Sequence, residues 1–167
     1  MRRAFITMIL AALAAASATA QSPVVDGVIA EGEYRFVETK SGIRLASSLS
    51  ADGRTLHMAV SAATKGWVAF GVGSPRMNGA YMIIAYQDDA GTAVVSEETG
   101  VGHSHKPNAQ RVATALVRER DGVTTLEASF PAASYVQGGQ LQAIAAVGGR
   151  DNLTSLHRAR ASFAVRF

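Results

Sequence analysis

Apolar and polar residues alternate along most of the chain beyond its first twenty positions. Leu56, Met58 and Val60 alternate with Thr55, His57 and Ala59. Thr124, Leu126, Ala128 and Phe130 alternate with Val123, Thr125, Glu127 and Ser129. Phe163, Val165 and Phe167 alternate with Ser162, Ala164 and Arg166. A period of two over such lengths predicts strands with one face on a core. Turn signals separate these stretches: Ser41-Gly42, Asp52-Gly53, Ala90-Gly91, Asp121-Gly122, Gly138-Gly139 and Gly148-Gly149. Asp-Gly between alternating segments marks a hairpin, because glycine takes positive φ at little cost. The pattern predicts strands near 33–40, 43–50, 54–62, 66–72, 80–87, 92–98, 110–119, 122–130, 140–147 and 160–167. No segment after the N-terminus keeps a helical period. The expected fold class is all-β, an antiparallel β-sandwich of about ten to eleven strands, in which His57 is an exposed or rim residue opposite the core face of its strand.

The first residues follow a different pattern. Arg2 and Arg3 precede an apolar run from Ala4 through Ala16, and Ala18-Thr19-Ala20 follows. A charged start, a short apolar centre and an A-x-A end predict a cleaved export signal over 1–20. The run is shorter than the roughly 20 residues that span a bilayer. The expected product is a single domain over 21–167, periplasmic or secreted, with no transmembrane segment after cleavage. Removing Arg2 and Arg3 from the 16 basic residues leaves 14 against 13 acidic ones, so the apparent charge of +3 falls to +1. There is no basic run interleaved with aromatics, so nothing favours nucleic-acid binding. The chain has no cysteine. That excludes disulfides, thiolate metal sites, a thiol nucleophile and covalent attachment of a c-type haem. No serine lies in a G-x-S-x-G context, and Gly71-Val72-Gly73 opens no βαβ unit, so hydrolase and dinucleotide readings lack support.

Two connections are longer than a hairpin requires, Thr99–Asn108 and Gly148–Arg158, and they hold three of the four histidines. Loops of that kind on a rigid β scaffold commonly carry function. His103 and His105 are one residue apart, near Glu97 and Glu98. In an extended segment both imidazoles face one way and could reach one Cu or Zn ion, but the pair lacks a third ligand and a solvated loop whose side chains cap backbone groups is the plainer reading. Met77 lies in a connection between Pro75 and Gly79. Its spacing fits a plug over the end of the sandwich or a thioether ligand.

The run Gly66-Trp67-Val68-Ala69-Phe70-Gly71, followed by Met77-Asn78-Gly79-Ala80-Tyr81, resembles the central motif of DOMON domains. Three further stretches are similar to bacterial members: Val25-Asp26-Gly27-Val28-Ile29 with Gly32-Glu33-Tyr34, Gly102-His103-Ser104-His105-Lys106-Pro107, and Thr154-Ser155-Leu156-His157-Arg158-Ala159-Arg160. The chain departs from the family pattern at Tyr81, where an Asp is common, and at Leu156 and Arg158, where an aromatic and a Gly are common. The resemblance implies an exported β-sandwich. In its haem-binding branch a b-type haem sits between a Met and a His, here Met77 and His157. Trp67 and Phe70, with Val72, Met82, Ile84, Leu153 and Leu156, would then supply apolar contacts. Arg158 and Arg160, with Arg76, would pair with propionates. Such a haem is held non-covalently, and the implied function is electron transfer with a redox partner protein in the periplasm or membrane, not enzymatic catalysis. His103 or His105 is the weaker alternative as metal ligand. Other members of the family bind sugars, so a carbohydrate or small-ligand module without haem is the alternative function. Its stacking platform would draw on Tyr34, Tyr81, Tyr86 or Tyr135.

Overall fold

A computed structural model describes residues 22–132 and 134–167. The expected export signal over 1–20 lies outside the described residues. The strands, in chain order, are β1 (Phe36–Lys40), β2 (Ile43–Leu49), β3 (Thr55–Ala62), β4 (Val68–Val72), β5 (Tyr81–Gln87), β6 (Ala93–Val101), β7 (Ser104–Pro107), β8 (Thr114–Arg120), β9 (Val123–Pro131), β10 (Gln140–Gly148) and β11 (His157–Arg166). They form two antiparallel sheets. The five-stranded sheet has the order β1-β2-β3-β9-β8, and the six-stranded sheet β11-β10-β4-β5-β6-β7. The all-β sandwich expected from the alternation is therefore the observed architecture. No helix among the described residues is long and apolar enough to cross a membrane.

Two of the expected loops are shorter than their composition suggests. β6 continues to Val101 and turns at Gly102-His103 into β7, so Thr99–Asn108 is mostly a hairpin. β11 begins at His157, which pairs with Gly148 across a register shift. Backbone pairing on an edge of the sheet overrides the polar composition in both places.

The core lies between the sheets. Leu45, Leu56, Met58, Val60, Leu126 and Phe130 face inward from one sheet, and Val68, Phe70, Ile83, Leu141, Phe163 and Val165 from the other. Leu56, Met58, Val60, Leu126, Phe130, Phe163 and Val165 are among the alternate positions read from the sequence.

The outer face of the five-stranded sheet is covered by the chain's own N-terminal segment, and one carboxylate holds it there. Glu127 lies on that face and is 0% exposed. Its Oε2 accepts the backbone N–H groups of Asp26, Gly27 and Val28 at 3.0, 2.7 and 3.1 Å, and its Oε1 accepts the Tyr34 hydroxyl at 2.6 Å. Gly27 has φ of 83°, and a Cβ there would lie 2.6 Å from the Arg118 side chain. Only glycine lets the three N–H groups converge while the backbone rests directly on β8. Burial pushes the Glu127 carboxyl up from its ordinary value, partly offset by the Tyr34 hydroxyl and by the Asp26 and Gly27 amides. His57 is on the same face and corrects the expectation of a rim residue. It is 9% exposed, and with Ser22, Pro23, Glu33 and Arg35 it lines a small recess, so the N-terminal segment encloses it. Its Nδ1 has no hydrogen-bond partner.

Two stability predictions follow from these groups. Glu127→Ala leaves four donors without their acceptor and should cost about 3 kcal/mol or more, read by urea unfolding. His57 has its pKa lowered, chiefly by burial. A depressed value means the unfolded chain binds the proton more tightly, so stability is full above the ordinary histidine value of about 6.5 and is lost as pH falls through it. The unfolding midpoint should drop on acidification across that range, and His57→Gln should flatten that part of the profile.

Candidate functional site

The six-stranded sheet has an outer face of unusual composition. In a solvated antiparallel sheet, residues opposite the core are polar. Here β4 is buried along its whole length and β5 from Tyr81 to Ala85. Cross-strand register sets Ala146, Ala69 and Ile84 in one row of the outer face and Ile144, Gly71 and Met82 in the next. Trp67, Ala69 and Ile84 form a cluster with Tyr86, Ala146 and Leu153. The Trp67 indole N–H donates to Ser155 Oγ at 2.9 Å, which ties the ring to the loop before β11. Small residues lie at the centre of the face. A Cβ on Gly71 would meet Met82 Cγ at 2.9 Å and Ile144 Cγ1 at 3.0 Å, so flexible side chains lean over a bare stretch of backbone.

Met77 borders this face at the Val72 end of β4. Its loop folds back onto β6. The Gly79 N–H donates to Gly100 O, the Gly100 N–H to Ala80 O, and the Ala80 N–H to Met77 O, all within 3.0 Å. The Gly102 N–H donates to Asn78 Oδ1 at 2.8 Å. A Cβ on Gly100 would lie 1.7 Å from Met77 O and 3.2 Å from Met77 Cγ. The approach is possible only because position 100 has no side chain.

The other expected residues fall in different places. His157 lies at the Trp67 end of β4, because Gly148 pairs with it and also donates its N–H to Trp67 O at 2.8 Å. Met77 and His157 thus stand at opposite ends of a five-residue strand, a length of about 16 Å. Both His157 and its neighbour Leu156 are exposed, Leu156 by 89%. Arg160 pairs with Ala146 and belongs to the apolar face. Arg158 donates from Nη2 to Ala63 O at 2.7 Å, away from that face. Phe70 does not join Trp67: strand alternation turns it, with Val72, into the core between the sheets. His105 pairs with Gly100 beside Met77, and its Nδ1 contacts the buried Glu98 carboxylate. His103 is exposed in the turn. Among the described residues no group of three His, Cys, Asp or Glu side chains converges as a metal site.

A second feature opens at the end of the sandwich near β5. A cleft of about 550 Å³ is lined by Tyr81, Thr99, Asn108, Gln110, Val112 and Tyr135, among others. Glu97, 4% exposed, lies behind it. It accepts the Tyr81 hydroxyl at 2.7 Å and the N–H groups of Val112 and Ala113 at 2.9 and 3.1 Å. None of the four tyrosines is exposed, since Tyr34 and Tyr81 are buried and Tyr86 and Tyr135 half-buried. Of the four, Tyr81 and Tyr135 line the cleft.

Residues 39–139 match the DOMON domain. The chain belongs to the DOMON family. Two solved structures share the fold. One is the cytochrome b domain of pyranose dehydrogenase from Coprinopsis cinerea, at 12% identity and a TM-score of 0.57, covering 74% of this chain and 76% of that one. The other is the cytochrome domain of cellobiose dehydrogenase from Myriococcum thermophilum, at 12% identity and a TM-score of 0.58, covering 74% of each chain. A comparison with curated proteins gives no match.

Sequence reasoning did not find the roles of Gly71, Gly100, Glu97 and Glu98 in this DOMON domain. The signal was there in part, since adjacent acids in an alternating strand point to opposite faces. Both faces here are buried, which neither acid could tolerate without a partner. Gly100→Ala should push the Met77 loop off β6. The expected cost is about 1–3 kcal/mol, the range of overpacked sites, with a shifted Met77 methyl resonance in NMR.

Proposed function

We propose that this DOMON domain binds one b-type haem non-covalently and transfers electrons. The observation that carries this reading is the outer face of β4, β5 and β10. It is apolar where a solvated sheet would be polar, and glycine and alanine form its floor. The family and the shared fold of two cytochrome domains support it. The residues present fit such a group. A flat macrocycle needs an apolar surface with little side-chain relief, and Gly71, Ala69 and Ala146 provide one. Met82, Ile144 and Ile84 can swing aside to wall it. Trp67 closes the end nearest the β10–β11 loop.

Met77 and His157 are the residues that would hold the haem iron, Met77 from the Val72 end of the face and His157 from the Trp67 end. His157 is reachable because it is exposed, and Met77 because Gly100 leaves room for its loop. Arg160, on the apolar face, would pair with a propionate, whereas Arg158 is bonded to Ala63 O away from it. When bound, a Met/His haem cycles between two oxidation states at a raised potential and has no open position for O₂ chemistry. The chain therefore acts as a carrier and not as an enzyme, and its partner is a redox protein of the periplasm or membrane reached after export.

Purified protein supplied with haem should give sharp α and β bands on reduction; their absence at full loading would overturn the reading. Met77→Ala should lower the reduction potential and abolish the methionine-ligated spectrum. His157→Ala should lose haem during gel filtration. Retention in that variant, lost only in His105→Ala, would make His105 the ligand.

A further inference from the structure

The recess under the N-terminal segment holds a polar atom that nothing satisfies. Glu127 and Glu33 tie that segment down from Val24 onward, Glu33 by accepting the Val24 and Ala30 N–H groups at 2.9 Å each. One residue earlier Pro23 is buried, and Ser22 and Pro23 form part of the wall of the recess over His57. The recess has a volume of about 70 Å³. Its other polar walls have partners within the chain. Glu33 is engaged on both oxygens. Ser48 Oγ accepts the Arg35 N–H at 2.8 Å. Ser50 Oγ accepts the Thr55 N–H at 2.9 Å and donates to Asp52 at 2.6 Å. His57 Nδ1 is buried without a partner, which folded proteins rarely tolerate. Gln21 adjoins Ser22 in sequence and lies outside the described residues. It is the first residue left once the expected export signal over 1–20 is removed.

We infer that the exported chain begins with a pyroglutamate formed from Gln21, and that this lactam seats in the recess against His57 Nδ1. The inference rests on cleavage after Ala20 and is independent of the haem. An N-terminal glutamine is set up for the reaction, since amine and side-chain amide belong to one residue and closure gives a five-membered ring. The α-amino nitrogen attacks Cδ, a new N–Cδ bond forms, and the Cδ–Nε2 bond breaks. Ammonia leaves and carries away the proton shed by the amine. Nothing is oxidised or reduced, and no co-reactant enters. The product suits the recess where the open form does not. A free α-amine is largely an ammonium at neutral pH, and its burial demands a charge partner. Glu33 is the only carboxylate on the wall, and its oxygens are already engaged. The lactam is neutral and compact. It carries one N–H and one C=O, so it meets His57 Nδ1 in either tautomer of the imidazole. Seated there, it anchors the N-terminal segment ahead of the points held by Glu33 and Glu127.

The test starts from the full chain expressed for export and purified from the exported fraction. Its intact mass should be that of residues 21–167 less one ammonia, and it should give no signal in Edman sequencing. A mass with residues 1–20 retained, cleavage at another bond, or an open Gln21 after prolonged incubation would each overturn the inference. Pyroglutamyl aminopeptidase reads the seating. It should cut the folded protein roughly tenfold more slowly than a pyroglutamyl peptide of residues 21–30, the factor that one buried hydrogen bond is worth. His57→Ala should raise the rate on the folded protein toward that of the peptide. Equal rates on wild type and peptide would mean that the recess holds only water. If His57→Ala fails to fold, the His57 Nδ1 resonance in NMR reads the same contact. It should shift between wild type and Gln21→Ala, and an unchanged resonance would overturn the seating. None of these measurements depends on whether haem binds.

Discussion

Strands β4 and β5 are apolar on both faces, and the arrangement of the six-stranded sheet follows from that constraint. One face, through Val68, Phe70, Val72 and Ile83, fills the space between the sheets. The other, through Ala69, Gly71, Met82 and Ile84, cannot face water without loss, since each square ångström of apolar surface left exposed forgoes about 25 cal/mol. The chain covers part of it with Trp67, Leu153 and the loop tied by the Trp67–Ser155 hydrogen bond. Small residues over the rest give a shallow floor. A sheet built only for stability would carry threonines and charged residues there.

The buried carboxylates of this sandwich are held by direct hydrogen bonds, because a buried charge without partners is costly. Glu127 gathers three backbone amides and a phenol on the outer face of one sheet. Glu97 gathers two amides and a phenol at the mouth of the interior. Each carboxylate fixes a segment that has no strand pairing of its own. Glu127 holds the N-terminal segment, and Glu97 holds the approach to β8. Carboxylates suit this use, since each oxygen accepts more than one donor and charged acceptors form the stronger bonds. The same arrangement keeps both phenols protonated, because burial and the neighbouring carboxylate push Tyr34 and Tyr81 well up from the ordinary tyrosine value.

The proposed site and the aromatic cluster around Tyr81 share β4 and β5 and use opposite faces of them. Met82 leans over Gly71 on the outside, and Tyr81, its neighbour, packs with Phe130 on the inside. Alternation along a strand places consecutive residues about a sheet's thickness apart on opposite sides.

The period-two pattern determined the all-β class, most of the strands and the inward residues of β3, β9 and β11, because side-chain alternation is a local property of an extended chain. The motifs around Trp67 and Met77, short contiguous runs, lie within the stretch that matches the family, residues 39–139. Only the tertiary structure decided which residues meet. Nothing local to Gly27 or Glu127 signals that they touch, since about a hundred positions separate them. His57 alternates as a solvent-facing residue does, and it is buried only because the N-terminal segment crosses that face. Phe70 and Trp67 are three residues apart in one motif, and pleating sends them to opposite sides of the sheet. His105 stands beside Met77 through the β6–β7 register, and His157 at the far end of β4 through the β10–β11 register. Strand order and register set these neighbours. They are fixed by the joint packing of two sheets, a global condition that no window of sequence contains.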